Sequence, residues 1–122
     1  MNTVLIVDDS KITGGIVKNI FAGMNIACNF LEAKNGRMAL EALESNRVSL
    51  VLLDWNKAGM NGLQFLKQIR AMPIYNDLPI IMATSEAAKY IIVEALQNGA
   101  TDYLVKPINE NELREKISDI LF

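Results

Sequence analysis

A chain of 122 residues is long enough for one domain with a single core and too short for two. Apolar residues make up 51% of it, which suits a sheet covered on both faces, and a net charge of −2 from 12 basic and 14 acidic residues argues against nucleic acid or anionic lipid as a partner. Cys28 is the only cysteine and there is no histidine, so an intrachain disulfide, a cysteine-built zinc cage, Ser-His-Asp or Cys-His catalysis and a histidine phosphoryl carrier are all excluded.

Strand-like and helix-like stretches alternate along the chain. Residues 3–7 form a β-rich run, and Ile12, Ile16, Ile20 and Met24, with Val17 and Phe21, then recur at helical spacing. Gly14-Gly15 interrupts that helix, each glycine costing about 1 kcal/mol relative to alanine, with close packing as the plainest reason for them. Residues 27–33 are a weaker strand closed by Asn35-Gly36, and Cys28 within it reads as a small buried hydrophobe. Helix formers fill 36–45, with Met38, Ala39, Ala42 and Leu43 on one face. Residues 48–53 are the most buried-looking strand, followed by a loop from Asn56 to Gly62. Leu63, Leu66 and Ile69 mark a helix that stops before Pro73, and Pro79 opens the fourth strand. Ile91, Ile92, Ala95 and Leu96 mark the next helix, with Asn98-Gly99 as its stop. Residues 101–105 make the fifth strand. Asn109 and Glu112 form a capping pair ahead of Leu113, Ile117, Ile120 and Leu121.

Five βα units imply an α/β fold with a parallel sheet and helices on both faces. No linker is visible, so residues 1–122 are expected to be a single domain. The N-terminus has no basic region and its apolar run is too short for a signal peptide or a membrane span, so the chain is expected to be cytoplasmic.

The polar residues at the ends of the apolar runs carry the chemistry. Asp8 and Asp9 end the first, Asp54 the third, Thr84 and Ser85 the fourth and Lys106 the fifth. In a parallel sheet these ends share one edge, where open α/β sheets place their sites. An aspartate after a strand often just starts a loop or caps a helix, and one of the Asp8-Asp9 pair is a candidate for capping. Ser10 and Ser85 read as caps, and Trp55 and Tyr103 as packing residues. Four charged or hydroxyl-bearing strand ends together mean more than any one of them. Three aspartates at close range repel unless a cation lies among them. All-oxygen ligation with few protein donors suits Mg²⁺, which often shares its shell with a phosphate. Carboxylates, a hydroxyl and an ammonium are what phosphoryl transfer requires, and a carboxylate can itself be the nucleophile. Asp54, at the end of the central strand, is the candidate.

Asp8-Asp9, Asp54-Trp55-Asn56, Thr84-Ser85-Glu86-Ala87 and Tyr103-Leu104-Val105-Lys106-Pro107, in this order and spacing, resemble the receiver domain of two-component response regulators, most of all the single-domain chemotaxis regulators. The resemblance covers essentially the whole chain. It implies a flavodoxin-like (βα)5 three-layer sandwich with strand order 2-1-3-4-5, which periodicity alone does not provide. It implies that Asp54 accepts a phosphoryl group from a histidine kinase, with no turnover of an outside substrate. Asp9, Asp54 and the Asn56 carbonyl would bind Mg²⁺, with Asp8 helping through water. Thr84 and Lys106 would contact the phosphoryl oxygens, Lys106-Pro107 would be cis, and Tyr103 would be a switch coupled to Thr84. An output protein would bind the face of helix 4, strand 5 and helix 5, and the chain would act as a monomer. Lys57 and Ala58 depart from the usual Met and Pro, which suggests a more mobile loop, and Ser10-Lys11 and Gly14-Gly15 are also unusual.

A phosphorelay intermediate, or a receiver excised from a larger regulator, would look the same. An aspartate-nucleophile phosphatase of the haloacid dehalogenase type resembles a different pattern, with an acid–base aspartate two residues after the nucleophile. Asn56 stands there and cannot do that work. A flavodoxin-type binding module needs a phosphate-binding loop after the first strand, where Asp8 and Asp9 would repel the flavin phosphate.

Overall fold

The computed structural model describes residues 2–8, 10–54, 62–85 and 89–121. Its elements run β1 (Asn2–Val7), α1 (Lys11–Gly23), β2 (Cys28–Ala33), α2 (Gly36–Ser45), β3 (Leu50–Asp54), α3 (Gly62–Arg70), a 3-10 turn (Pro73–Tyr75), β4 (Ile80–Thr84), α4 (Lys89–Gln97), β5 (Asp102–Val105) and α5 (Glu110–Leu121). The strands form one parallel sheet in the order β2-β1-β3-β4-β5, as the resemblance implied.

Side chains alternate across each strand, so the central strands feed two apolar layers. Leu5, Val7, Val51, Leu53, Ile80 and Met82 pack on one face against Ala39 and Leu43 of α2, Phe65, Leu66 and Ile69 of α3 and Ala95 of α4. Val4, Ile6, Leu50, Leu52, Ile81 and Leu104 pack on the other against Val17, Ile20 and Phe21 of α1 and Leu113 and Ile117 of α5. Every residue of β3 and β4 is buried, as expected of strands covered on both faces. Cys28 is half-buried in the second layer, and burial pushes its thiol pKa up, in keeping with a packing role.

Local chemistry closes the helices. Asn35 Oδ1 accepts the Met38 N–H at 2.9 Å to start α2, and Asn109 Oδ1 accepts the Glu112 N–H at 2.9 Å to start α5. Gly99 follows α4 with φ +105°, a conformation that β-carbons disfavour.

Several expectations are corrected. The third strand begins at Leu50 and includes Asp54 rather than spanning 48–53. Ile12 is 75% exposed and Ile16 and Met38 also face outward. A four-residue step advances about 40° beyond a full turn, so a stripe followed from Ile20 back to Ile16 and Ile12 walks off the core. The Ser10 side chain makes no capping hydrogen bond; its N–H is instead received by Asp8. Gly14 is buried in α1, but a β-carbon there would meet only the end of the half-exposed Glu32 side chain, which can turn aside, so close packing does not require a glycine. Gly15 has open space around it, and nothing in the structure explains it.

Candidate functional site

The register of the sheet assembles the site. Val7 pairs with Leu53, Asp54 with Ala83 and Thr84 with Val105, so Asp8, Asp54, Thr84 and Lys106 fall within about one residue of a common row. They lie at the carboxyl edge of the sheet, on three central strands and one edge strand. The Lys106 N–H donates to the Thr84 carbonyl at 2.7 Å, which extends the β4–β5 ladder by one step and fixes where the lysine leaves the sheet.

Lys106 then reaches across two strands. Its Nζ lies 3.1 Å from Asp8 Oδ2 and 3.4 Å from Asp54 Oδ1. Both carboxylates are nearly closed to solvent, with side chains 3% and 10% exposed. Burial alone would raise the Asp8 pKa, but the Ser10 N–H at 2.9 Å, the Thr13 side chain and Lys106 together outweigh it and hold the pKa below the usual carboxylate value. A lowered folded-state pKa means that Asp8 contributes stability above its unfolded pKa. That contribution is lost as pH falls through the lowered value.

The structure thus brings together Asp8, Asp54 and Lys106 in direct contact and places Thr84, wholly buried, on the strand between Asp54 and Lys106. Asp9, Trp55, Asn56, Lys57, Ala58, Glu86 and Ala87 lie outside the described residues. The Lys106-Pro107 peptide is cis. Tyr103 is half-buried on β5, beside Met82 of β4, with the Lys116 Nζ of α5 4.8 Å from its ring centre.

Two contacts went unread in the sequence. Thr13 supports Asp8, and Lys116 sits against Tyr103. Neither has a periodic signal, because each joins residues of different elements.

Among the described residues no group of three His, Cys, Asp or Glu side chains is placed to hold a metal. What is present fits a hard cation even so. The described carboxylates of Asp8 and Asp54 offer oxygen donors, the ligand type that hard cations such as Mg²⁺ take.

The response regulator receiver domain family matches residues 4–118 of this chain. The chain belongs to that family. Curated relatives include a chemotaxis protein CheY homolog of Campylobacter jejuni, 40% identical across 96% of this chain and 90% of the relative. Another is chemotaxis protein CheY1 of Helicobacter pylori, 39% identical across 96% of this chain and 94% of its own. Among solved structures, Vibrio cholerae chemotaxis protein CheY4 superposes with a TM-score of 0.86 at 31% identity, covering 98% of each chain. A response regulator from Thermotoga maritima does so with a TM-score of 0.86 at 28% identity, covering 99% of this chain and 98% of that one.

Receivers are phosphoacceptor signalling domains of two-component systems rather than turnover enzymes, and in general they depend on Mg²⁺. Membership implies a histidine kinase upstream and an output target downstream. No described helix is long and apolar enough to cross a membrane.

Proposed function

We propose that this receiver, a single domain over residues 1–122, is a phosphorylation-dependent switch that takes a phosphoryl group on Asp54 and signals by protein–protein contact, in chemotaxis as the names of its relatives suggest. The observation that carries the reading is the Lys106 ammonium spanning Asp8 and Asp54 at the carboxyl edge of the sheet. An Asp54 carboxylate oxygen attacks phosphorus, the P–N bond to the kinase histidine breaks, and the imidazole leaves with the electron pair. Lys106 is close enough to transfer its contact from the unphosphorylated carboxylate to a phosphoryl oxygen. The Thr84 hydroxyl supplies a second donor. Asp8, Asp9, Asp54 and the Asn56 carbonyl would hold Mg²⁺, which when bound neutralises oxygen charge during transfer.

Phosphorylation adds charge and acceptor oxygens at Asp54. Drawing Thr84 toward them would open space beside β5 for the Tyr103 ring. The surface of α4, β5 and α5, where Tyr90, Val93 and Leu96 already point outward, would then change for a partner to read. A ligand biases such an equilibrium only by its differential affinity, so the unphosphorylated protein should also bind that partner, more weakly.

Incubation with acetyl phosphate and Mg²⁺, followed by mass spectrometry, should place one phosphoryl group on Asp54. Asp54→Asn should fold and take no label; labelling at the wild-type level would overturn the assignment. Mg²⁺ should also raise the thermal midpoint, because ligand bound only to the native state adds about 2.7 kcal/mol at a hundredfold excess over Kd. An equal rise in Asp9→Ala would contradict the metal site.

A further inference from the structure

Tyr103 does not rest against the core alone. The Lys116 ammonium lies 4.8 Å from the centre of its ring, within cation–π range. That lysine is only 16% exposed along its side chain, so its charge is partly desolvated at the ring. Two carboxylates hold it there. Asp102 Oδ1 lies 2.8 Å from Nζ, and Glu112 Oε1, one turn earlier on α5, lies 3.9 Å away. The same Asp102 oxygen also receives the Tyr103 N–H at 2.8 Å. One carboxylate therefore ties the backbone of Tyr103 to the cation that covers its ring.

We propose that Lys116, anchored by Asp102, is a positioning residue that holds the Tyr103 ring in its present rotamer and so sets the resting bias of the switch. The inference deepens the Tyr103 switch proposed above and rests on it. The physical reason is differential contact. The ammonium attracts the ring face in this position and loses that contact when the ring turns away, so removing the charge lowers the free energy of the other rotamer relative to this one. An attraction of ordinary cation–π strength shifts a two-state equilibrium about two- to fivefold. Asp102 adds to the bias by limiting where the lysine can go.

The test is the Tyr103 side-chain rotamer distribution in the unphosphorylated protein, read by NMR with ring-labelled ¹³C-tyrosine and assigned against Tyr103→Phe. Lys116→Met keeps an apolar stem of similar length without the charge, and should move the distribution away from the present rotamer by about two- to fivefold. Lys116→Arg keeps a cation that stacks on aromatic rings, and should restore the wild-type distribution. Asp102→Asn should give a smaller shift in the same direction as Lys116→Met, and it serves as the deciding variant if Lys116→Met does not fold by circular dichroism. An unchanged distribution in whichever variant decides, or a shift in Lys116→Arg as large as in Lys116→Met, would overturn the proposal. The measurement needs no phosphoryl donor. Failure of acetyl phosphate to label Asp54 would thus sink the phosphoacceptor reading without touching the rotamer result, and the reverse also holds.

Discussion

α3 and α4 are helices of nine residues each on the same face of the sheet, yet they use their apolar side chains in opposite ways. α3 buries Gly62, Phe65, Leu66 and Ile69, almost everything apolar that it has. α4, with the sequence KYIIVEALQ, is the more apolar of the two but buries only Ala95. Tyr90 is 73% exposed, and Val93 and Leu96 also point outward. Apolar content therefore does not decide burial. A helix that keeps several apolar side chains in water without a core reason is built like a docking surface, which is the part α4 plays in the proposed switch. α3 is built to be held still. Arg70, in its last turn, extends the hold to the turn after α4, where Nε donates to the Gly99 carbonyl at 2.9 Å.

The largest expected effect lies in α3. Leu66 is fully buried among the side chains of the sheet, so Leu66→Ala should cost about 2–5 kcal/mol in urea unfolding through lost burial and a residual cavity. A cost below about 1 kcal/mol would mean that α3 is no better docked than α4, and the contrast would fail.

Sequence alone carried one half of this contrast and not the other. Leu66 and Ile69 sit three residues apart and fall on the buried stripe, as their spacing implied. Leu96, with Ile91, Ile92 and Ala95, marks α4 in the sequence, and it is 40% exposed. Periodicity reports that a helix has an apolar face, but a helix with apolar residues on two sides leaves open which side meets the sheet. α1 misled in the same way through Ile12 and Ile16. The strands were more legible, because β3 and β4 are buried on both faces and no choice of face arises. The site was legible for a related reason. Asp8, Asp54, Thr84 and Lys106 each end an apolar run, and once the runs are parallel strands in register their ends must meet. The supports from Thr13 and Lys116 depend on how helices lie across the sheet, which no run of residues encodes.

The next effect concerns the tie between the two helices. Gly99 has φ +105°, and a β-carbon on it would lie 2.9 Å from Arg70 Cγ and 3.1 Å from Arg70 Nε. Gly99→Ala should cost about 1–2 kcal/mol from the backbone alone. The crowding must also displace the Arg70 stem from its bond to the Gly99 carbonyl. If the tie serves to hold the end of α4, amide exchange in α4 should quicken in this variant more than in α3. Equal acceleration in both helices would show that Arg70 does not link them selectively.

The smallest expected effect is the most informative about α4. Leu96 lies on its outward side, and leucine and alanine are both good helix formers, so Leu96→Ala should change stability by no more than about 0.5 kcal/mol. The wild-type protein should meanwhile exchange its α4 amides faster than those of α3, since a helix with one buried side chain opens locally at lower free energy than one with three. Both results follow from the same cause, the shallow seat of α4 on the sheet. A destabilisation by Leu96→Ala comparable to that of Leu66→Ala would show that the outward apolar residues support the fold after all. α4 would then have no side chains to spare for a partner, and the output face would have to be sought on another part of the receiver.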